Sequence, residues 1–465
     1  MFRYLVSVYF LFFWIQSING QSNHVVISHI SVVGNQKTKG EAILRELDVS
    51  VNDSIDISVL SGILLENEKR LLSTGLFSKA DVNIKQWDTD SNRVHLEIMV
   101  KEGWFIYPYV IFELADRNFN VWARDFNYSF QRLNYGVALT HINFSGAKDK
   151  LKAKLQFGFT GKYELHYEYP YWKNGWGFAG NFFYTYNKEI SYKTLNNRPA
   201  FYKSSEEKNL LWQNRLSFSI SKRGSAYTFH NWRIQYNYGK VDTIIPTEFN
   251  GDFFLNNKTN LGFLRFEYEY IFNRLLYPLY PDGGYWWRLL LRKDGFGGNG
   301  SINNTLFSIE HARHWPIVPW LIMSNSFKLK GNLQRNKIPY LYNQALGYEN
   351  DVITGYQLYV VDGTDFFYSK NALKLRIFAK NFHFKGWVPN RFTPFNSQIF
   401  LRLNMDIGFV NEPSYKEGNP LANTLLLGYG PAIDAVFFHN LLFSVDFSIN
   451  KSGETGFFFS GGFQF

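Results

Sequence analysis

From residue 104 onward, apolar and polar positions alternate with a period of two. Leu151, Ala153, Leu155, Phe157 and Phe159 interleave with Lys152, Lys154 and Gln156, and Leu264, Phe266, Tyr268, Tyr270 and Phe272 interleave with Arg265, Glu267 and Glu269. Leu441 to Ile449 repeats the pattern, and so does the C-terminal stretch, where Phe457, Phe459, Phe463 and Phe465 share one parity. Successive strand side chains point to opposite faces, so each run predicts a strand with one greasy and one polar face. A soluble sandwich also alternates, but its outer faces meet water and have little use for so many Tyr and Phe. A transmembrane barrel needs this pattern: apolar and aromatic toward lipid, polar toward the lumen. At about 23 residues per strand and connection, the stretch from 104 to 465 predicts about sixteen strands.

Residues 25 to 102 read differently. Val25 to Val33 is a β-branched strand running into the turn pair Gly34-Asn35. Thr38-Lys39-Gly40-Glu41 has the spelling of a capping box, and Ile43, Leu44 and Leu47 fall on one face of the helix it would start. A second helix follows Asp56, with Leu60, Ile63, Leu64 and Leu71 at helical spacing and Gly75 as its stop. Ala80 to Trp87 and Arg93 to Lys101 complete a small α/β unit in the order strand, helix, helix, strand, strand.

Composition agrees with a barrel. Aromatics make up 19% of 465 residues, with 46 Phe, 30 Tyr and 13 Trp, while mean hydropathy is −0.25. After the first twenty positions no run of about twenty apolar residues occurs, which excludes a helical membrane protein. The start is a processing signal: Met1-Phe2-Arg3 is positive, Tyr4 to Ile15 is apolar, and small and polar residues follow. That apolar stretch is too short to span a bilayer, so residues 1–20 read as a secretory signal peptide. With no cysteine there are no disulfides, thiolate metal sites or cysteine nucleophiles. The net charge of +10 is spread as single alternating positions, which suits a lumen and loops better than nucleic acid.

Several short strings carry a family resemblance. Ile30-Ser31-Val32-Val33-Gly34-Asn35, then Arg70-Leu71 through Gly75-Leu76-Phe77, then Val94 to Glu102 resemble a POTRA (polypeptide-transport-associated) domain. Behind it, four strings read as connections: Asn143-Phe144-Ser145-Gly146, Glu168-Tyr169-Pro170-Tyr171, Pro281-Asp282-Gly283-Gly284-Tyr285 and Gly428-Tyr429-Gly430. In this order they resemble the BamA- and TamA-type superfamily of outer-membrane insertases and translocators, which includes the two-partner secretion pores. The resemblance implies a signal peptide at 1–20, one periplasmic POTRA domain at 21–102 and an outer-membrane β-barrel at 103–465. The fold class is mainly β, with a barrel of about 16 strands. The family's sixth extracellular loop carries a Val/Ile-Arg-Gly-Phe/Tyr tip whose arginine pairs with an acidic residue of the lumen wall. Here the tip is Ile353-Thr354-Gly355-Tyr356 and the wall residue Asp406, so threonine replaces the arginine and no ion pair can form there. Lys374 and Arg376 are candidate substitute partners for Asp406.

The functional expectation is an assembly or translocation factor in the outer membrane of a Gram-negative-type bacterium, and not an enzyme. Its partners would be unfolded outer-membrane or secreted clients, membrane lipid and lipopolysaccharide, and periplasmic or lipoprotein accessory subunits. A barrel insertase needs a seam that opens. The first strand, Trp104 to Leu114, contains Pro108, which cannot donate a ladder hydrogen bond, and the last contains Gly461 and Gly462. Pro108, Gly461, Gly462 and Phe465 are therefore the candidate lateral seam, where a client strand would pair with the first strand. Asp81, Val82, Asn83, Ile84 and Lys85 are the candidate client-binding edge of the POTRA domain, by strand addition. The alternatives are a dedicated secretion pore, a lipid-modifying barrel or a passive channel. No hydrolase elbow, zinc-helix motif or phosphate-binding loop occurs, and no cofactor or metal is expected. His311 and His314, three apart on a strand, point to opposite faces, and His141 and His230 read as lumen or loop residues.

Overall fold

A computed structural model describes residues 24–116, 119–277, 279–297, 302–382, 395–438 and 441–463. The expected signal peptide and Phe465 lie outside these residues. The chain divides into two compact units, one of residues up to 36 and 43–102, the other of 37–42 and 103 onward.

Helix α1 (Gly40–Leu44) runs across the boundary between residues 42 and 43, and the first unit holds strands β1 (His24–Val33), β2 (Ser54–Asp56), β3 (Phe77–Asp88) and β4 (Arg93–Glu102) and helix α2 (Ile57–Ser73). Its sheet order is β2-β1-β4-β3, with β1 and β4 parallel and the other pairs antiparallel. Asp56 starts α2 by accepting from the Ser58 amide at 2.8 Å. One face of α2 buries Leu60 and Leu71, and the sheet buries Val25, Ile27, Val94, Leu96 and Ile98. Gly34 has φ +90°, and a Cβ there would lie 2.0 Å from the Val100 carbonyl oxygen, so the turn demands glycine. Two details differ from the sequence reading. The three-residue β2 adds a strand too short for any periodicity to register. Helix α1 stops at Leu44, so Leu44 is exposed while Ile43 and Leu47 are buried.

The second unit is built on β5 (Ile106–Leu114), β6 (Leu133–His141), β7 (Lys150–Gly158), β8 (Thr160–Lys173), β9 (Trp176–Asn187), β12 (Leu211–Arg223), β13 (Thr228–Val241) and β14 (Asn260–Asn273). It continues with β15 (Gly284–Asp294), β16 (Asn304–Val318), β17 (Leu321–Asn332), β20 (Asp365–Phe382), β21 (Phe395–Asn411), β22 (Leu425–Phe437), β23 (Leu441–Asn450) and β24 (Thr455–Phe463). These sixteen strands form one sheet in chain order, every neighbour antiparallel, with β5 and β24 at its ends. Mostly short turns join the strands at one end of the barrel and mostly long connections at the other. The long connections carry helix α3 (Phe119–Phe126), the hairpin β10 (Glu189–Leu195) and β11 (Arg198–Lys203), and the small pair β18 (Gln344–Leu346) and β19 (Val361–Asp362).

The alternation sorts side chains as its period requires. Phe457 and Phe459 are 59% and 53% exposed on the outer face, while Phe458 between them is 6% exposed. Leu401, Leu403 and Met405 face out; Arg402, Asn404 and Asp406 face in. The scattered basic residues become lumen ladders: Arg265 pairs with Asp294, Arg292 with Glu267, and Arg288 with Glu269 and Glu310. Two of the strings read as connections are not connections. Glu168 to Tyr171 lies inside β8 and Gly428 to Gly430 inside β22. Histidine 230 is also placed differently from its sequence reading. It sits on the outer parity of β13, stacked on Trp232 and hydrogen-bonded to the Tyr268 hydroxyl at 2.9 Å. His311 stacks on Trp287, and His314 faces the opposite way toward Ser324.

Candidate functional site

The connection between β17 and β20, residues 333–364, folds back against the barrel wall. At its tip, both the amide and the hydroxyl of Thr354 donate to Asp406 Oδ2, at 3.0 and 2.7 Å. The wall is shaped to receive backbone. A Cβ on Gly428 would lie 1.7 Å from the Thr354 carbonyl oxygen, and one on Gly408 would lie 2.0 Å from Ile353 Cδ1. Gly355 has φ +81° and brings its carbonyl to Asn450 Nδ2 at 3.3 Å. Ile353 and Tyr356 are buried with Leu346, Val361, Phe366, Val410 and Leu426. Four wall strands, β20 to β23, thus contact one loop tip.

Neither suggested substitute cation reaches Asp406. Lys374 Nζ lies over the Tyr280 ring and near the Pro281 carbonyl, and Arg376 bonds the Pro319 carbonyl. Lys370 is the residue directly across from Asp406 in the β20–β21 register. An ion pair that ties this loop to the wall near its tip lies elsewhere: Lys328 of β17 reaches both oxygens of Asp351, at 2.9 and 2.8 Å, and the Tyr368 hydroxyl adds a third bond. No spacing rule could have found it, because the pair is defined only by where the loop returns.

The same loop is locked from its other side. Asn197, at the tip of the β10–β11 hairpin, donates from Nδ2 to the Val360 carbonyl and to Asn419 Oδ1, and its Oδ1 accepts from the Leu421 amide. Three long connections therefore meet on one buried asparagine. Beside it, an apolar cluster of Ile190, Leu210, Ile245, Phe253, Phe254 and Tyr340 joins the connections after β9, β13 and β17. Asp362 of β19 is 2% exposed and accepts from the Tyr348 hydroxyl. Burial pushes its carboxyl up to about 6, with Glu412 adding repulsion and the Thr194 and Tyr348 hydroxyls opposing the rise. A raised carboxyl means the folded loop holds its proton more tightly than the unfolded one. Anchoring is therefore strongest near pH 4, weakens as pH rises to about 6, and is flat above, by roughly 3 kcal/mol in all. Hydrogen exchange of residues 344–346 and 361–362 between pH 4 and 7, corrected for intrinsic rates, should show this loss, and Asp362→Asn should flatten it.

The candidate seam residues lie where the sheet ends. Pro108 is in β5, opposite Leu139 of β6, and Gly461 and Gly462 are in β24, opposite Phe443 and Leu442. Among the described residues, β5 and β24 each pair on one side only. A Cβ at Gly461 or Gly462 would meet nothing nearer than 3.4 Å, so close packing does not require either glycine. At the turn end, the connection 274–283 reaches across the lumen to the strands before the seam. The Tyr280 hydroxyl donates to Asp434 Oδ2 at 2.6 Å, and Asp434 is also gripped by Arg402 at 2.6 and 3.0 Å. Arg402 reaches Asp446 at 2.9 Å as well, so one guanidinium bridges β21, β22 and β23.

In the first unit, Asp81 to Lys85 lie on β3, which ends its sheet. Lys79 pairs with Asp81 and Lys85 with Glu97, while the Val82 amide is taken by the Glu68 carboxylate of α2 at 3.0 Å. Glu68 had no signal in the sequence; it matters because it occupies an edge amide that an added strand would use. Among the described residues no group of His, Asp and Glu is placed to hold a metal ion.

The POTRA family model, described as surface antigen variable number repeat, matches residues 25–103. No curated protein sequence matches. Among solved structures, BamA from Haemophilus ducreyi lacking POTRA domains 1–3 is 13% identical, with 94% of this chain and 84% of that one aligned at TM-score 0.53. CdiB from Escherichia coli is 10% identical, with 97% and 92% aligned at TM-score 0.50, and CdiB from Acinetobacter baumannii is 10% identical, with 94% and 74% aligned at TM-score 0.50.

Proposed function

We propose, from the premise that this chain has the BamA/TamA-type fold of a POTRA domain ahead of a 16-stranded barrel, that it assembles other proteins in the outer membrane of a Gram-negative-type bacterium. The POTRA domain at 21–102 would stand in the periplasm and receive unfolded clients along β3. The barrel at 103–465 would hand them to the bilayer through the seam between β5 and β24. The observation that carries this reading is that these two strands end the sheet without pairing to each other among the described residues. A barrel that only conducts solutes gains by closing its edges, because unpaired backbone in lipid costs several kcal/mol per group.

Insertion is favoured over export through the lumen by the loop end. Asn197 and the apolar cluster knit four long connections, those after β9, β13, β17 and β21, into one core, which leaves the sideways route as the less obstructed one. Export of one or a few dedicated partners is the second reading, favoured by the threonine in place of the family arginine at position 354. Depletion of the protein followed by quantitative proteomics of the outer membrane and cell surface separates them. Loss of many barrel proteins is expected; loss of only one or two exported proteins would establish the second reading instead.

A further inference from the structure

Helix α3, between β5 and β6, lies not against its own neighbours in the sheet but against the far end of it, β24. The Asn120 side-chain amide donates to the Phe457 carbonyl. An antiparallel residue directs its N–H and C=O to the same side, so this bond marks Phe457 as a residue whose backbone groups face the open edge. The helix straddles the barrel wall at that point. On the outer face, the Phe119 ring meets Phe459 edge-on at 6.1 Å and joins Trp122, Tyr128 and Phe130 in an aromatic cluster. Phe130 is 74% exposed and Tyr128 54%, as befits rings at a membrane interface. On the inner face, Val121 is buried with Phe458 and Leu358.

Asp125 pairs with Arg198 of the β10–β11 hairpin at 2.7 Å, and Phe126 lies under the Arg132 guanidinium. Behind the helix is a cavity of about 840 Å³, lined by Val121, Arg124, Phe126, Glu189, Phe201 and Tyr348 among others. Among the described residues, the helix meets its surroundings through the Asn120 bond to an edge carbonyl, the Phe119–Phe459 ring contact, the Val121–Phe458–Leu358 contact with Phe126 packed beside it, and the Asp125–Arg198 ion pair, and the cavity leaves room for it inward.

We propose that α3 is the gate of the seam: it occupies the loop-end half of the open edge of β24 and retracts toward the cavity before any strand can pair there. This rests on the reading of the barrel as a lateral assembly factor and adds what holds its seam shut. The strand admitted must be amphipathic. Its backbone replaces the Asn120 amide on Phe457, and its outward residues pack beside Phe457 and Phe459.

The chain has no cysteine, so a Phe119→Cys/Phe459→Cys pair can be bridged, in what is here the oxidised state, by disulfides to a short bis-methanethiosulfonate linker that ties α3 to β24 without side reactions at other thiols. The probe is a synthetic peptide copying residues 106–114, with a photoreactive phenylalanine analogue in place of Phe112, added to the full chain in proteoliposomes. Mass spectrometry then scores cross-links to residues 455–463. The reduced pair should cross-link, the oxidised pair should lose at least tenfold, and reductant should restore it. Asn120→Ala, which leaves both rings in place, should raise cross-linking several-fold over the unmodified protein. Equal cross-linking in the oxidised and reduced pair overturns the gate. So does the absence of any cross-link in both the reduced pair and Asn120→Ala, because the freed edge then accepts no strand. If the lock controls the peptide but the reduced protein inserts no unfolded barrel client into the same vesicles, the gate stands and the assembly function falls.

Discussion

Gly428→Ala is expected to expel the loop tip from the barrel wall while leaving the sixteen strands formed. The added Cβ would lie 1.7 Å from the Thr354 carbonyl oxygen and 2.6 Å from its carbon. Both belong to backbone, so no side-chain rotation relieves the clash. The tip must move, and with it the two bonds from Thr354 to Asp406 are lost. Overpacking of this kind costs on the order of 3 kcal/mol. Limited proteolysis of the folded barrel should then cut within residues 350–360, which should stay intact in the parent protein, and client assembly should fall at least tenfold. Gly461→Ala is the control, since its Cβ finds only ordinary contact at 3.4 Å. Equal protection in Gly428→Ala and the parent would mean that the loop is not held at this place.

The second large effect is expected at Arg402. Its guanidinium bonds both oxygens of Asp434, one of Asp446, the Ser444 hydroxyl and the Asn404 side chain. Asp434 is fully buried. Among the described residues, Arg402→Ala leaves that carboxylate hydrogen-bonded by Tyr280 and Ser444 with Lys374 as its nearby cation, and removing one member of a buried ion pair costs roughly 3–5 kcal/mol. Arg402→Lys keeps the charge but not the planar fork, so it should fall between. Heat-modifiable mobility and the thermal transition in detergent should rank the variants parent, Arg402→Lys, Arg402→Ala. The double change Arg402→Met/Asp434→Asn should recover part of the loss, because it removes the fully buried Asp434 charge together with the guanidinium and leaves Asp446, which is partly exposed, without it. An exposed pair such as Lys79–Asp81, with the lysine 68% exposed, should change stability by less than about 1 kcal/mol when broken. If Arg402→Ala melts with the parent, the cluster carries no structural weight.

Much of the fold was legible because it is written in local periods. A period of two marks both faces of each barrel strand. The change to helical spacing between Asp56 and Gly75 marks α2, whose range Ile57–Ser73 falls where the residues place it. The estimate of sixteen strands follows from length divided by a repeat that lipid thickness imposes. Misplacements arise where a short string has two meanings. Gly428-Tyr429-Gly430 looks like a turn, but these glycines are mid-strand, and at Gly428 the reason is another backbone lying against the wall. The three residues of β2 are too few to show a pattern, and α3 is a helix inside a long connection whose value depends on its contact with β24.

The candidate site was legible in part. Thr354 and Asp406 could be matched by resemblance, and their bond lengths belong to the structure. Lys328–Asp351, the Asn197 keystone, Glu68 on the Val82 amide and the Arg402 cluster left no mark in the sequence. Asn197 and Asn419 are 222 positions apart, and Tyr280 and Asp434 are 154 apart. Nothing local specifies such pairs.

The amino-acid order by itself determined the two faces of the barrel strands and the helical and extended runs of the small α/β unit, because those depend on spacings of two to four residues. Only the tertiary structure decided what meets inside the cylinder. Curling the sheet brings its opposite sides within reach of one another, so loops and turns bond to walls that are remote along the chain. Which groups satisfy each other there is a consequence of closure, and the helix lying on the last strand is one product of it.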